Sequence, residues 1–132
     1  MSLLLLDTTF LIDAERGGVD LDQAIDDDDD VAIAAVTIAE LLVGVRLASG
    51  KRRDARQAYV DGILESLPII AYDRNVAVEH AELLVAVRGQ GRSRGAHDLL
   101  IAATARAANR TIVTADQTAF ADLPGVATIS HR

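Results

Sequence analysis

The chain has 132 residues, a formal net charge of −7 and no cysteine. The length suits one domain over residues 1–132, and the lack of cysteine excludes a disulfide framework and a thiolate metal site. Half of the residues are apolar but only 3% are aromatic, so the core must be built from Ala, Val, Leu and Ile. The apolar runs are too short for a membrane span or a signal-peptide core, and we expect a soluble cytoplasmic protein.

The charges are unevenly distributed along the chain. Five of the 20 acidic residues form one run at 26–30, whereas basic residues gather in the stretches KRRDAR and RGQGRSR. The negative sum therefore does not exclude a nucleic-acid partner, although phosphate binding is commonly accompanied by a basic excess. The aspartate run is typical of a solvated loop rather than of a metal site.

Short apolar runs alternate along the chain with segments of helical periodicity. The runs predict strands at residues 3–6, 31–35, 67–71, 111–114 and 126–129. The segments between them predict helices at 37–48, 51–66, 73–90 and 96–109, with Thr37 and Asp73 as N-caps. This alternation favours an α/β fold with a parallel sheet, and right-handed crossovers place helices on both of its faces.

Four acids fall where this topology brings the strand ends together. Asp7 follows the first strand, and Glu40 lies in the first turn of the helix after the second strand. Asp98 lies in the first turn of the helix at 96–109, and Asp116 comes two residues past the fourth strand. Parallel α/β sheets bind ligands beyond the carboxyl ends of their strands. The sequence therefore predicts four carboxylates at one edge.

Structure alone explains most of these acids when each is taken singly. Glu40 completes a T-x-x-E capping box with Thr37, Asp98 suits the positive end of a helix, and Asp116 can cap a short helix that follows it. Asp7 fits such an explanation least well, because it ends an apolar strand without opening an obvious turn.

Taken together, four converging carboxylates require a different explanation. Two carboxylates about 4 Å apart repel by roughly 4 kcal/mol at an effective dielectric of about 20, so the group must protonate, spread apart or bind a cation. Oxygen ligands without His or Cys favour Mg²⁺ or Mn²⁺, and Mg²⁺ completes its shell with water and substrate phosphate oxygens. The pattern indicates metal-assisted phosphoryl transfer or phosphodiester hydrolysis.

The stretches that carry these acids also resemble a known family. LLLLDTTFLID, TIAELLVGV, GAHDLLIAATA and TIVTADQTAF stand in the order and spacing of PIN domains, and they are most similar to the VapC-type toxins of toxin–antitoxin pairs. The resemblance implies a PIN-like three-layer fold with a parallel five-stranded sheet flanked by helices. It also implies Mg²⁺- or Mn²⁺-dependent endoribonuclease activity on RNA, a homodimer, and a cognate antitoxin protein that inhibits the toxin.

The resemblance extends to individual residues. Asp7, Glu40 and Asp98 match the three acids of the family pattern. Where many members have Asn and, three residues on, Asp, this chain has Asp116 and Ala119. The fourth acid is therefore assigned to Asp116.

Hypotheses for the roles of these residues follow from that match. Three acids would bind the metal: Asp7, Asp98 and Asp116. Glu40 would orient or deprotonate the attacking water. Thr8 and Thr114 are hydroxyls near the cluster that can orient a carboxylate or a metal-bound water, although a threonine at a strand end is explained as well by structure. The basic candidates for RNA contact are Arg46, Lys51, Arg52, Arg53, Arg56, Arg92 and Arg94.

Three other functions are alternatives to the nuclease. Haloacid-dehalogenase-like phosphatases need D-x-D, whereas this chain has Asp7-Thr8-Thr9, and phosphoacceptor receiver domains need a lysine after the last strand, whereas the only lysine is Lys51. Each of these two families requires a residue that this chain lacks. A PIN-like module that binds RNA or a protein without cutting remains the alternative.

Overall fold

The fold is described from a computed structural model that covers residues 1–18, 21–91 and 94–130, without the side chain of Asp22. Its centre is a five-stranded sheet with the order β3-β2-β1-β4-β5, in which every pairing is parallel. The strands are β1 (Leu3–Leu6), β2 (Asp30–Ala34), β3 (Ile69–Ile70), β4 (Thr111–Thr114) and β5 (Thr128–Ser130). The predicted parallel five-stranded sheet is confirmed.

Helices connect these strands and cover both faces of the sheet. They are α1 (Thr8–Glu15), α2 (Leu21–Ala24), α3 (Ala35–Leu47), α4 (Gly50–Ser66), α5 (Arg74–Gln90), α6 (Ala96–Ala108) and a 3₁₀ helix at Gln117–Phe120. Within the described ranges, none of these helices is long and apolar enough to cross a membrane.

Three of the four leucines of β1, Leu4 to Leu6, are buried because the sheet has helices on both sides. Side chains alternate between the faces of a strand, and Leu5 packs in the cluster that includes residues of α5 and α6. Leu4 and Leu6 pack in the opposite cluster, with residues of α1, α3 and α4. An unbroken apolar strand is what a central position between two helical layers requires.

The strand register places the ends of β1 and β4 side by side. Leu6 pairs with Val113, and the backbone N–H of Asp7 donates a 3.1 Å hydrogen bond to the Val113 carbonyl. The next residue of β4, Thr114, therefore lies beside Asp7. On the other side of β1, β2 passes directly into α3.

The predicted N-cap of α3 is wrong by three residues. The helix begins at Ala35, and its N-cap is Ala34, which has no side-chain capping bond. Thr37 is consequently inside the helix and fully buried, and the predicted capping box with Glu40 does not form. The helix starts early because β2 enters it without a loop, and tertiary packing overrides the preference of threonine for the cap position.

The helix α1 was missed in the sequence. Asp7 opens this helix as its N-cap, contrary to the interpretation of Asp7 as a strand end without a turn. The pattern was obscured because the helix follows β1 directly and starts with two β-branched threonines, which favour strands. By contrast, Asp73 caps α5 as predicted, accepting a 3.0 Å hydrogen bond from the Val76 N–H.

Candidate active site

Asp7 lies at the centre of the site, directly after β1. The Asp7 carboxyl group is almost completely buried, and only 2% of the residue's surface is exposed. Its Oδ1 accepts a 2.9 Å hydrogen bond from the backbone N–H of Phe10, the capping bond of α1. Burial raises the pKa of the Asp7 carboxyl above its usual 3.8, and the negative charge of Glu40 adds to the rise. The hydrogen bonds that the carboxylate accepts oppose this rise.

Two threonine hydroxyls bind the Asp7 carboxylate. Thr114, fully buried at the end of β4, donates a 2.6 Å hydrogen bond to Asp7 Oδ2. Thr9 Oγ1 lies 2.9 and 3.0 Å from the two carboxylate oxygens and 3.3 Å from Thr114 Oγ1. Thr114 was a candidate from the sequence, whereas Thr9 was missed. The available signal for Thr9 was the second hydroxyl in the sequence D-T-T.

Glu40 is held by the first threonine of the same D-T-T sequence. Its Oε1 accepts a 2.7 Å hydrogen bond from Thr8 Oγ1, which also lies 3.2 Å from the hydroxyl of buried Thr37. On the solvent side, Nδ1 of His97 is 3.4 Å from Glu40 Oε2. Thr37 was predicted only as a helix N-cap, and neither its contact with Thr8 nor that of His97 with Glu40 follows from the sequence pattern.

Asp98 lies in the first turn of α6 and is half-buried. Burial raises the pKa of its carboxyl above the usual 3.8, and repulsion from Glu40, Asp7 and Asp116 raises the pKa further. The N-cap of this helix is Gly95, where a Cβ atom would lie only 2.7 Å from Asp98 Oδ2. Glycine, which has no Cβ atom, therefore avoids a clash with the Asp98 carboxylate at this N-cap.

Asp116 is the exposed member of the four acids. Its backbone N–H donates a 2.9 Å hydrogen bond to Thr114 Oγ1, the hydroxyl that binds Asp7. Its Oδ1 accepts a 2.5 Å hydrogen bond from Thr118 Oγ1. Asp116 precedes the 3₁₀ helix, but its side chain makes no capping bond to that helix. Helix capping therefore does not explain the acid at this position.

The structure brings the four acids to one edge, beyond the carboxyl ends of β1, β2 and β4. In addition to burial, repulsion from the other three acids raises the pKa of Asp98, and repulsion from Glu40 raises that of Asp7. The four acids do not form a compact metal-binding cluster. In the part of the chain that the structure describes, the only three metal-ligating side chains with atoms all within 4.8 Å of one another are Asp26, Asp28 and Asp29.

The group of Asp26, Asp28 and Asp29 lies in the aspartate run, and one of its carboxylates binds backbone N–H groups. Asp29 accepts hydrogen bonds of 3.0 Å from the backbone N–H groups of Ser2 and Asp26. Asp30, the last residue of the run, pairs with Arg110 at 2.8 Å. The predicted loop before β2 is therefore found at residues 26–29, whereas Asp30 is already the first residue of β2.

The groups at the active-site edge fit a hard divalent cation. They offer carboxylate and hydroxyl oxygens, which such ions prefer. Among the described residues, no lysine or arginine forms an ion pair with any of the four acids. The nearby imidazole is His97, which lies 3.4 Å from Glu40 and slightly opposes the rise in the pKa of Asp98. A cation would offset the burial and repulsion that raise the pKa values of Asp7 and Asp98.

The predicted basic residues occupy several different environments. Arg94 donates to backbone carbonyls of the segment after Asp116. Arg56 donates to the carbonyl of Gly44 at 3.1 Å and lies 3.9 Å from Glu15. Four others are exposed at the end of α3 or the start of α4: Arg46, Lys51, Arg52 and Arg53. Arg92 lies outside the described residues.

Known proteins share both the sequence and the fold. The model of the PIN domain family matches residues 4–126. Ribonuclease VapC5 of Mycobacterium tuberculosis is 36% identical over 127 residues, which is 94% of this chain and 90% of that protein. Ribonuclease VapC2 of Rickettsia felis is 32% identical over 96 residues, covering 73% of this chain and 70% of that protein.

Solved structures give the same result over nearly the whole chain. VapBC2 of Rickettsia felis, bound to a DNA fragment from its promoter, contains a chain with a TM-score of 0.88 and 26% identity, covering 98% of this chain and 99% of that one. VapBC-5 of M. tuberculosis, from a toxin–antitoxin family, gives 0.80 and 29%, with coverage of 98% and 99%. The chain thus belongs to the PIN domain family and, within it, to the VapC-type proteins.

Proposed function

We propose that this protein is a metal-dependent endoribonuclease, the toxin of a type II toxin–antitoxin pair, which acts in the cytoplasm. The observation that carries the proposal is the convergence of four acids from separate elements at the strand ends, with burial and mutual repulsion raising the pKa of Asp98. Such a group is costly without a cation and becomes useful when a cation and a phosphodiester occupy the edge together. The names of the related ribonucleases support the same activity.

Three of the acids would hold Mg²⁺ or Mn²⁺, each in a distinct way. Asp7 presents a carboxylate fixed by α1 and two threonines, Asp98 is carried on a buried helix, and Asp116 reaches in from the exposed loop. When bound, the ion would lower the pKa of a coordinated water and offset charge on the phosphate. The oxygen ligands do not separate Mg²⁺ from Mn²⁺, so both belong to the proposal.

Glu40 would orient the attacking water and accept its proton. The hydrogen bond from Thr8 fixes Oε1, and the exposed His97 lies near Oε2. A carboxylate anchored on one oxygen can present the other to a water molecule. The hydroxyls of Thr8 and Thr114 would thus orient the acids rather than react.

The assembly proposed for this chain follows its relatives. VapBC2 and VapBC-5 are toxin–antitoxin assemblies, and we include a cognate antitoxin as the inhibitory partner. The single domain over residues 1–132 and the homodimer are further parts of this proposal. Gel filtration with light scattering, on the purified chain alone and with its antitoxin, would test the assembly.

Cleavage of RNA by the purified, antitoxin-free protein tests the activity. A pool of structured cellular RNAs is incubated with Mg²⁺, with Mn²⁺ or with chelator, and cutting is expected only with metal. Asp7→Asn should lower cleavage by at least about 100-fold, whereas Asp61→Asn, an equal charge change at an exposed residue of α4, should have no effect.

The same assay separates the proposed nuclease from its alternative. A folded wild-type protein that cuts no RNA under either metal would instead be a PIN-like module that binds RNA or protein. Full activity of Asp7→Asn would show that the acidic edge is not the active site.

A further inference from the structure

Asp98 and Asp116 lie on two separate segments that must keep a fixed spacing if both are to bind one cation. Asp98 belongs to the first turn of α6. Asp116 belongs to the loop after β4, where Thr114 holds its backbone on the strand side. Its side chain binds Thr118 within the same loop. These bonds leave the spacing between the loop and α6 to other residues.

Arg94 connects these two segments. It directly precedes Gly95, the N-cap of α6. Its Nη1 donates to the carbonyl oxygen of Ala119 at 3.3 Å and, more weakly, to that of Thr118 at 3.5 Å. Its Nη2 donates to the carbonyl of Ala121. Because the guanidinium is a rigid planar fork, bonds to several carbonyls fix the orientation of the loop as well as its distance.

Residues other than Arg94 also hold this loop on the protein. Phe120 and Leu123 of the same loop are buried in the core cluster of α5 and α6. Gln90, at the end of α5, adds a 2.7 Å hydrogen bond to the Asp122 carbonyl. The apolar side chains therefore hold the loop on the protein, whereas Arg94 acts on its outer, polar side.

We propose that Arg94 is a positioning residue, which sets the place of Asp116 relative to Asp98 by binding the carbonyls of the segment between Thr118 and Ala121. This inference rests on the proposed function of the acidic edge. It replaces the expectation that Arg94 contacts RNA, because its Nη1 and Nη2 donors are directed to the protein's own backbone.

Binding of Mn²⁺, measured by calorimetry without RNA, tests the proposal through a double-mutant cycle. Arg94→Ala and Asp116→Asn should each weaken binding by roughly tenfold or more, as is found when groups that orient metal ligands are removed. The double variant should bind no more weakly than Asp116→Asn, because Arg94 acts through Asp116. Arg94→Lys should recover only part of the loss, since an ammonium lacks the planar fork.

Arg88→Ala is the matched control. It removes the same charge from an exposed position in the last turn of α5, and Mn²⁺ binding should be unchanged. Circular dichroism verifies that each variant is folded. If Arg94→Ala does not fold, the cycle is run with Arg94→Lys.

Several results would overturn the proposal. If the loss of Mn²⁺ affinity in the double variant equals the product of the losses in the two single variants, Arg94 does not act through Asp116. Unchanged Mn²⁺ affinity with weaker, less salt-dependent RNA binding would show that Arg94 contacts phosphate. If the wild-type protein binds no Mn²⁺, the proposed metal site does not exist and the role of Arg94 at that site is contradicted. A wild-type protein that binds Mn²⁺ without cutting RNA would contradict only the nuclease function, and the cycle would still decide the role of Arg94.

Discussion

The hydroxyl of Thr114 serves two acids at once. It donates to the Asp7 carboxylate at 2.6 Å and accepts the backbone N–H of Asp116 at 2.9 Å. A buried carboxylate is stable only when its oxygens are bound, and this hydroxyl also fixes where the chain turns after β4. One side chain therefore opposes the rise that burial causes in the pKa of Asp7 and also fixes the backbone of Asp116.

Replacing Thr114 with Val should separate shape from hydrogen bonding. Thr114→Val keeps nearly the same volume but leaves Asp7 Oδ2 and the Asp116 N–H without this partner. We expect the free energy of unfolding to fall by roughly 1–3 kcal/mol and kcat to fall by about tenfold or more. Thr111→Val, at the opposite end of β4, is the control and should keep its activity. Unchanged kcat in Thr114→Val would show that the hydroxyl is dispensable.

At the scale of elements, the site depends on strands that pass into helices without loops. β1 enters α1 through Asp7, and β2 enters α3 through Ala34. The first turn of each helix therefore lies at the carboxyl edge of the sheet. Asp7 has two functions for this reason, because the residue that faces the proposed metal also caps a helix.

Two substitutions of Asp7 should separate these functions. Asn remains a good N-cap whereas Ala does not, so Asp7→Ala should be less stable than Asp7→Asn by about 1 kcal/mol. Both should lose cleavage, because neither has a carboxylate. Urea denaturation in chelator measures the difference. Equal stabilities would mean that the bond to the Phe10 N–H contributes nothing to α1.

At the scale of the whole molecule, the acidic edge costs stability when no cation is bound. Burial raises the pKa values of both Asp7 and Asp98 in the folded protein. An acid whose pKa is higher in the folded than in the unfolded state holds its proton better when folded. The metal-free protein should therefore lose stability as pH rises from about 3.8, the ordinary value, through the raised folded values.

Asp98→Asn tests this pH dependence because it removes one ionising group. In chelator, the variant should have a higher Tm than wild type at neutral pH and a smaller fall in Tm on going from pH 4 to pH 7, as the ordinary carboxyl pKa values lie near the lower limit. Adding Mg²⁺ or Mn²⁺ should raise the Tm of wild type more than that of the variant. Asp61→Asn, which changes the same charge on an exposed residue, should follow wild type. If Asp98→Asn is less stable than wild type at pH 7 in chelator, the ionised Asp98 carboxylate does not destabilise the metal-free protein.

Much of the fold could be predicted because its signals are local. The run Leu3–Leu6 indicates a strand buried on both faces, and the segment that became α6 has an apolar pattern suited to the centre of the fold. The start of α3 could not be predicted in the same way, because Thr37 is a good cap in isolation and is buried only when β2 and α1 are in place. Local preference is a weak term where packing competes.

The sequence by itself determined the order of the five strands and of the four long helices α3 to α6, the parallel sheet and the placement of four acids after strands or at helix starts. Periodicity and the rule that parallel strands expose their carboxyl ends at one edge are sufficient for this. Only the tertiary structure decided which hydroxyl binds which acid, since Thr114 meets Asp7 across 107 positions and Thr8 meets Glu40 across 32. Only the tertiary structure directed Arg94 to the loop after Asp116. Hydrogen bonds need partners within about 3 Å, and a linear pattern does not record which distant groups the packed core brings that close.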